Sequence, residues 1–484
     1  MRLKELLSGY ELPEKMRNRE IDRICTSTKE NLRGALFVCL AGSKDDGHRY
    51  AAQAAAQGAV VLCERDCNVS DAIRVPDTRE AYARCCAAWY RNPSDELTLC
   101  AVTGTNGKTS TATTAYRLLR MCGIKSGLIG TTGACWEDKE EVLPLTTPDP
   151  MTLHRILRRM SDDGVTHVMM EASSHALDQK RLFGLHFSVA VFTNLTQDHF
   201  DYHKSMIEYF YAKKKLFAQA DRAVVCVDDR WGRELAETLT IPVQTVSRTG
   251  VRAAYSITDI ESSAEGVRFT LSCFGLTRKA QFPVPGDFSA ENAVCAAAIC
   301  ALLGHSPEET LPLLQDTGLI PGRCEPIPNR LGLTILCDYA HTPDGIEKIL
   351  SAARTFTRRN LIVVFGCGGD RDHEKRPLMG AAAAKYADFL VLTSDNPRTE
   401  RAGTILSDIR KGIPSGTRYI VLPERTAAIR YALDTAKPGD TVIFAGKGHE
   451  TGQYVAGKCF AYNERAAIRH LITVLEETRP SLPK

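Results

Sequence analysis

The sequence predicts an α/β protein of three domains: a small N-terminal α/β module, a central domain on a mostly parallel sheet, and a C-terminal doubly wound domain. Three observations carry that prediction. At 484 residues the chain is too long for one hydrophobic core, and its length corresponds to about three domains. Compact apolar runs alternate with helix-like segments through most of the chain, the pattern of βα units. One of those runs feeds a glycine-containing turn that closes on Gly-Lys-Thr, as strand-to-helix phosphate loops do.

In chain order, residues 1–95 carry short apolar runs at 35–40, 59–63 and 72–75, with helix-like stretches at 50–57 and 81–90 between and after them. Arg91-Asn-Pro-Ser94 reads as a linker. The second domain, 96–331, opens on an apolar strand at 97–102 and continues with strand-like runs at 166–170, 189–193 and 223–227. The third, 332–484, repeats the pattern at 333–337, 361–365, 389–392, 418–422 and 441–444, most of the runs followed closely by Gly, Asp or Asn. No internal repeat or low-complexity segment interrupts this order, and the tail after Thr478, with its two prolines, is expected to fray.

The bulk numbers exclude several classes. Hydrophobic residues make up 44%, charged residues 25% and aromatics 7%, an ordinary globular composition. A net charge of +3 is close to neutral for this length, so no nucleic-acid partner is implied. The charged N-terminal stretch has no apolar core of a signal peptide. No run approaches the roughly 20 apolar residues that span a bilayer. The 17 cysteines are scattered, with Cys63 and Cys67 forming one CxxxC and nothing resembling a paired zinc framework. They read as reduced, mostly buried small hydrophobes of a cytoplasmic protein.

The most informative stretch is Val102-Thr-Gly-Thr-Asn-Gly-Lys-Thr-Ser110. Gly104 and Gly107 let the backbone bend and approach an anion, with Thr105 and Asn106 between them. Lys108 supplies a point charge for β- and γ-phosphates, Thr109 offers a hydroxyl to Mg²⁺, and Ser110 leads into a helix over 111–121. The loop therefore points to a nucleoside triphosphate, although Val102 stands where the usual P-loop has glycine.

Downstream, polar residues cluster at strand ends, where open α/β sheets place their sites. Glu171 ends the strand in Val168-Met-Met-Glu-Ala-Ser-Ser-His175 and suits a Mg²⁺ ligand of the Walker-B kind. His199, Asp201 and His203 alternate, which suggests either a metal or a helix start capped by Asp198. Lys213–Lys215 taken alone is a solvated charge run on a helix. Gly366-Cys-Gly-Gly-Asp-Arg-Asp372, Asp395-Asn-Pro-Arg398 and Gly446-Lys-Gly-His-Glu450 bring ionic groups to one edge of the last sheet.

In this order the segments resemble the Mur ligase family of ATP-dependent amide-forming enzymes, most closely its MurE type. The matching motifs run nearly end to end: Gly104-Thr-Asn-Gly-Lys-Thr109, Thr146-Thr-Pro-Asp149, Glu171-Ala-Ser-Ser-His175, 194–203, 209–217, Asn292, Gly322-Arg-Cys-Glu325, Asp338-Tyr-Ala-His-Thr-Pro343, Gly368-Gly-Asp-Arg-Asp372, Asp395-Asn-Pro-Arg398 and Gly446-Lys-Gly-His-Glu450. The resemblance implies a domain for the UDP end of the substrate, a central P-loop ATPase and a C-terminal Rossmann-like domain for the incoming amino acid. It implies transfer of the ATP γ-phosphoryl group to a carboxylate, attack of an amine on the acyl phosphate, and loss of phosphate. By resemblance Lys108, Glu171, His199 and Lys213 are catalytic. Thr109 and Glu171 serve one Mg²⁺ ion and His199 another, with Lys213 as a CO₂-derived carbamate that supplies an anionic oxygen. That reverses the solvated reading at Lys213 alone. Asn292, Arg323 and Asp338 match positions around ATP.

For UDP-N-acetylmuramoyl-L-Ala-D-Glu the matching positions are Thr28, Thr146, Thr147, Ser173, Gln179 and Arg181. Ser27-Thr-Lys29 stands where many members read Asp-Ser-Arg, so Thr28 keeps a hydroxyl but Lys29 lacks the guanidinium fork. Asp395, Asn396, Pro397 and Arg398 match the form of members that add meso-diaminopimelate, with Arg371, Gly446 and Glu450 as companions. An arginine fork suits the second carboxylate of that substrate, which lysine lacks. Glu400-Arg-Ala402 departs from the acidic-Pro pair frequent there. The resemblance thus implies a cytoplasmic, monomeric ligase of peptidoglycan precursor synthesis, and so of cell-wall growth and division. The alternatives are the same ligase adding L-lysine or another diamino acid, a folylpolyglutamate synthetase or another Mur ligase, and a P-loop kinase or motor-like ATPase.

Overall fold

The computed structural model describes residues 1–42 and 45–478; the tail expected to fray lies outside them. The chain groups into two compact units, one of Met1–Thr103, Gly123–Ala190 and Ala212–Arg222, the other of Gly104–Cys122, Val191–Tyr211 and Ala223–Lys484.

The first unit begins with a four-stranded parallel sheet in the order Arg23–Cys25, Ala35–Val38, Val60–Cys63, Ile73–Arg74. Leu36, Val38 and Leu62 join one apolar cluster, while Ala35, Phe37, Val61 and Cys63 join another. Strand residues alternate between faces, so a sheet packed on both sides reads as an unbroken apolar run. The helix Thr78–Trp89 is capped by Asp77, whose carboxylate accepts from the backbone N–H groups of Arg79 and Glu80. The stretch taken as a linker runs into a short 3₁₀ turn, Pro93–Glu96.

The same unit carries Thr98–Thr103 and Ser126–Gly130, each parallel to His167–Glu171, with Val102 opposite Glu171. Gly133–Trp136 and Lys139–Glu141 then add antiparallel strands. The second unit pairs Ala220–Cys226 with Val243–Ser247 in parallel, through 223–226, and then runs Tyr255–Ser263, Gly266–Cys273 and Leu276–Phe282 as an antiparallel meander. Apart from Arg23–Cys25, Ser126–Gly130 and Val243–Ser247, the parallel strands named so far are those the apolar runs predict. The antiparallel additions are not, because strands such as Leu276–Phe282 have mostly exposed side chains and no apolar run. The helix Asp287–Leu302 is buried on nearly every side.

A six-stranded sheet completes the second unit in the order Glu325–Pro326, Thr334–Asp338, Thr441–Ala445, Leu361–Phe365, Phe389–Leu392, Tyr419–Val421; only the first strand is antiparallel. Its parallel strands point the same way, so the segments after Asp338, Phe365, Leu392 and Ala445 emerge at one edge. A hairpin, Gly452–Val455 with Lys458–Ala461, follows and was not expected. All cysteines except Cys67, Cys122, Cys135 and Cys459 are buried. No described helix is long and apolar enough to cross a membrane.

Candidate active site

The strand Thr98–Thr103 ends where the phosphate loop begins, and the helix Lys108–Met121 starts three residues earlier than expected. Gly104 has φ +147°, and a Cβ there would meet the Thr193 hydroxyl at 1.9 Å, so this position needs glycine. Within the second unit the loop is laced to residues 193–196. The N–H of Asn106 donates to Asn194 Oδ1 at 3.0 Å, the Thr193 hydroxyl donates to the Asn106 carbonyl at 2.6 Å, and the N–H of Thr196 donates to Thr105 Oγ1 at 3.0 Å. Lys108 curls over the loop, its Nζ donating to the carbonyls of Gly104 (2.9 Å) and Thr105 (2.8 Å). Thr109 Oγ1 accepts from Arg323 Nη2 at 2.9 Å, and that guanidinium lies over the Tyr339 ring, 4.7 Å from its centre. Asn292 reaches the same helix, with Thr111 Oγ1 3.4 Å from its Oδ1. Ser110 is half-buried on the helix's first turn. Asp338 accepts from the N–H groups of Cys324 and Ala340, both at 2.6 Å. Burial pushes its carboxyl above the ordinary value, against the opposing charge of Arg323. The expected nucleotide residues Gly104–Ser110, Asn292 and Arg323 are thus gathered around one loop.

In the first unit, Glu171 is 1% exposed. Its Oε1 accepts from the Thr131 N–H at 2.8 Å and its Oε2 from the Thr131 hydroxyl at 3.0 Å. Thr131 also meets Thr146, hydroxyl to hydroxyl, at 3.1 Å. The Thr147 hydroxyl donates to the Glu171 carbonyl at 2.8 Å and accepts from the Ser173 N–H at 3.0 Å. Arg181 donates to the Thr147 carbonyl at 2.9 Å and through Nη2 to Gln179 Oε1 at 2.7 Å. Five of the six residues expected for the nucleotide-sugar substrate therefore form one cluster with Glu171. Thr28 does not join it; it sits half-buried in the turn after Arg23–Cys25.

Lys213, on the helix Met206–Lys214, is 1% exposed, whereas Lys215 is exposed and pairs with Asp178 at 2.7 Å. The solvated reading holds at Lys215 and fails at Lys213. Asp198 does not cap a helix, because the next one begins only at Met206. It is buried, with His199 Nε2 at 3.4 Å, Lys375 Nζ at 3.7 Å and His341 Nε2 at 3.9 Å. Burial pushes its carboxyl up, but the charges of His199, Lys375 and His341 outweigh burial and hold it far below the usual carboxylate range. His199, Asp201 and His203 diverge: Asp201 pairs with Arg371 at 3.6 Å, and His203 packs on Tyr202 and Tyr209. Among the described residues no group of three or more His, Cys, Asp or Glu is arranged to hold a metal.

At the edge of the six-stranded sheet, the turns after Phe365, Leu392 and Ala445 lock together. The N–H of Gly369 donates to the Asn396 carbonyl at 2.9 Å, and a Cβ at 369 would lie 2.0 Å from the Pro397 carbonyl. Arg398 takes φ +53°; its Nη1 donates to the Gly369 carbonyl at 2.7 Å and its N–H to the Tyr454 carbonyl at 2.9 Å. Asp395 is buried, and its Oδ2 would lie 2.4 Å from a Cβ at Gly446. Asn396 Nδ2 donates to Glu450 Oε2 at 2.9 Å. Arg371 flanks Gly368 beside Arg398 and turns its guanidinium to Asp201 at 3.6 Å. Sequence reasoning missed Thr131, Asn194 and Lys447 as individual residues. Asn194 and Lys447 lay inside quoted motifs, but a polar residue gives no local sign of its long-range partner, as at Asn194, or of being buried, as at Lys447.

Comparison with known proteins shows the family. Residues 102–300 match the Mur ligase middle domain, and residues 322–448 match the Mur ligase glutamate ligase domain. The chain belongs to the Mur ligase family, whose members are ATP-dependent amide-bond ligases. A relative from Geobacillus thermodenitrificans named UDP-N-acetylmuramoyl-L-alanyl-D-glutamate--2,6-diaminopimelate ligase is 41% identical, covering 90% of this chain and 91% of its own. A relative of the same name from Clostridium botulinum is 37% identical, covering 95% and 96%. A solved structure of a protein with that name superposes with TM-score 0.70 at 30% identity, covering 99% of this chain and 100% of its own. The fold is also shared, at 17% identity and TM-score 0.61, with folylpolyglutamate synthase of Mycobacterium tuberculosis.

Proposed function

We propose that this ligase joins an amino group of meso-diaminopimelate to the D-glutamate carboxylate of UDP-N-acetylmuramoyl-L-Ala-D-Glu, using ATP, in peptidoglycan precursor synthesis. The observation that carries it is the turn Asp395-Asn-Pro-Arg398, tied to Glu450 through Asn396 and to the Gly369 carbonyl through the Arg398 guanidinium. A guanidinium matches the second carboxylate of diaminopimelate. Relatives that share this chain nearly end to end carry the name of that reaction.

The roles follow from the residues. The glycine-rich loop and Lys108 hold the β- and γ-phosphates, and Asn292, Arg323 and Asp338 line the nucleotide side. Thr146, Thr147, Ser173, Gln179 and Arg181 bind the nucleotide-sugar dipeptide, together with Thr28 at its UDP end. Asp395, Asn396, Pro397, Arg398, Gly446, Glu450 and Arg371 take the incoming amino acid. A terminal oxygen of the D-glutamate carboxylate attacks the γ-phosphorus and ADP leaves. The amine then attacks the acyl carbon, and phosphate departs from the tetrahedral intermediate. Lys108 neutralises the crowded phosphate oxygens without contributing a proton.

The donor chemistry fits magnesium. Thr109 offers a hydroxyl, Glu171 a buried carboxylate steadied on both oxygens by Thr131, and His199 a ring nitrogen held toward Asp198. Magnesium ions held by such donors would lower the repulsion between phosphate and carboxylate oxygens. Lys213 fits a carbamate: a buried ammonium is costly, and addition of CO₂ to the amine with loss of a proton converts it to an anionic oxygen donor. We read the domains as 1–95, 96–331 and 332–484, supported by the separate four- and six-stranded sheets, and the enzyme as a cytoplasmic monomer. The test is phosphate release with ATP, Mg²⁺ and the UDP-dipeptide. Release that requires the dipeptide and prefers diaminopimelate to L-lysine is expected. A lysine preference overturns the role of Arg398, and release indifferent to both substrates overturns the ligase.

A further inference from the structure

Lys447 is 0% exposed, and all three of its ammonium hydrogens are used. Its Nζ donates to Asn396 Oδ1 at 3.0 Å, to Glu450 Oε2 at 2.6 Å and to the Gly452 carbonyl at 2.6 Å. One buried cation therefore ties the turn after Leu392, the turn after Ala445 and the first residue of the following hairpin.

The consequence for Asn396 is orientational. Its Oδ1 accepts from Lys447 and also from the Tyr454 N–H at 3.0 Å. A flipped amide would set its NH₂ against two donors, so Oδ1 is fixed there and Nδ2 is turned to Glu450 Oε2. Glu450 Oε2 thus takes two donors, and among the described residues its Oε1 accepts no hydrogen bond. Its side chain is 27% exposed, in contrast to the sealed Lys447 beneath it. Arg398, two residues from Asn396, spends Nη1 on the Gly369 carbonyl. The two joined turns therefore carry a half-exposed carboxylate and a half-buried guanidinium, the two charges that meet the ammonium and carboxylate of one amino-acid head group.

We propose that Lys447 is a positioning residue for the incoming amino acid: through Asn396 and Glu450 it holds Glu450 Oε1 toward a substrate ammonium. This rests on the substrate reading above. Lys447 touches no reacting atom. It sets which carboxylate oxygen is spent inside the protein and which remains for the ligand, and it supplies the charge that lets a carboxylate sit against the buried amide.

Steady-state kinetics of the full-length enzyme test this. Wild-type turnover with diaminopimelate is measured first: its absence overturns the substrate reading and the Lys447 proposal with it, and its presence leaves Lys447 to be judged alone. Lys447→Met is expected to raise KM for diaminopimelate about tenfold or more, while KM for ATP and for the UDP-dipeptide stays within about twofold. A unchanged KM for diaminopimelate, or three KM values rising together, overturns the proposal. Because Lys447→Met leaves a carboxylate without its cation, the double variant Lys447→Met/Glu450→Gln is compared with Glu450→Gln alone. Equal KM values for diaminopimelate support action through Glu450. A further tenfold rise in the double variant shows an independent role and overturns it.

Discussion

His154 is 1% exposed inside the helix Pro150–Asp162, and among the described residues neither ring nitrogen has a hydrogen-bond partner. Burial disfavours the charged ring and lowers its pKa from 6.5 to about 4. The sign follows directly. Between those values the unfolded chain binds a proton that the folded one does not, so this residue leaves stability intact above about pH 6.5 and removes it as pH falls toward 4. The full loss is about 3 kcal/mol. Urea unfolding of the wild type and of His154→Leu from pH 7 to 4 is expected to show the wild type losing that much more; parallel curves would exclude the effect. Lys213 belongs to the same scale. Lys213→Ala is expected to lower turnover by at least about a hundredfold, and short carboxylic acids to restore part of it by replacing the carbamate oxygens. Wild-type turnover in the variant removes the role.

Among the elements, the segment 146–149 shows how a cap orients a site. Asp149 accepts from the N–H groups of Met151 at 3.0 Å and Thr152 at 3.2 Å, and Pro150 occupies the first helical turn, where no N–H is needed. The chain direction set by this cap delivers Thr146 to Thr131 and Thr147 to the Glu171 carbonyl. Asp149→Ala is expected to cost about 1 kcal/mol in urea unfolding. It should raise KM for the UDP-dipeptide while leaving KM for ATP unchanged; an equal rise in both would assign the cap a purely structural role. The helix Lys108–Met121 is handled differently. Gly107, at φ +86°, is its cap and offers no side chain, so its first N–H groups face the loop. That element was legible in the sequence because Gly-Lys-Thr is contiguous. The antiparallel strands after Tyr255 were not, because their outward faces are polar and carry no run to count.

For the molecule as a whole, ligand linkage provides the test of the nucleotide reading. A non-hydrolysable ATP analogue with Mg²⁺ at a hundred times its Kd is expected to stabilise the fold by about 2.7 kcal/mol, and Lys108→Ala to abolish the shift at the same concentration. A shift retained in the variant places the nucleotide elsewhere. The sequence by itself determined the chemistry that sits in short contiguous motifs: the phosphate loop, Glu171 at a strand end, the Asp395–Arg398 turn, and through their order the family. Such features are set by local backbone needs and by residue type within a few positions. Only the tertiary structure decided which motifs meet within each unit. Asn194 reaches the phosphate loop across 88 residues and Asn396 reaches Glu450 across 54. It also decided that Lys213 is buried while Lys215 is exposed, that Asp198 faces Lys375 and two histidines rather than a helix end, and that Lys447 lies beneath the turn it orients. Burial and long-range pairing are consequences of strand order and helix packing, and a charged residue carries no local mark of which side of a helix or turn will be covered.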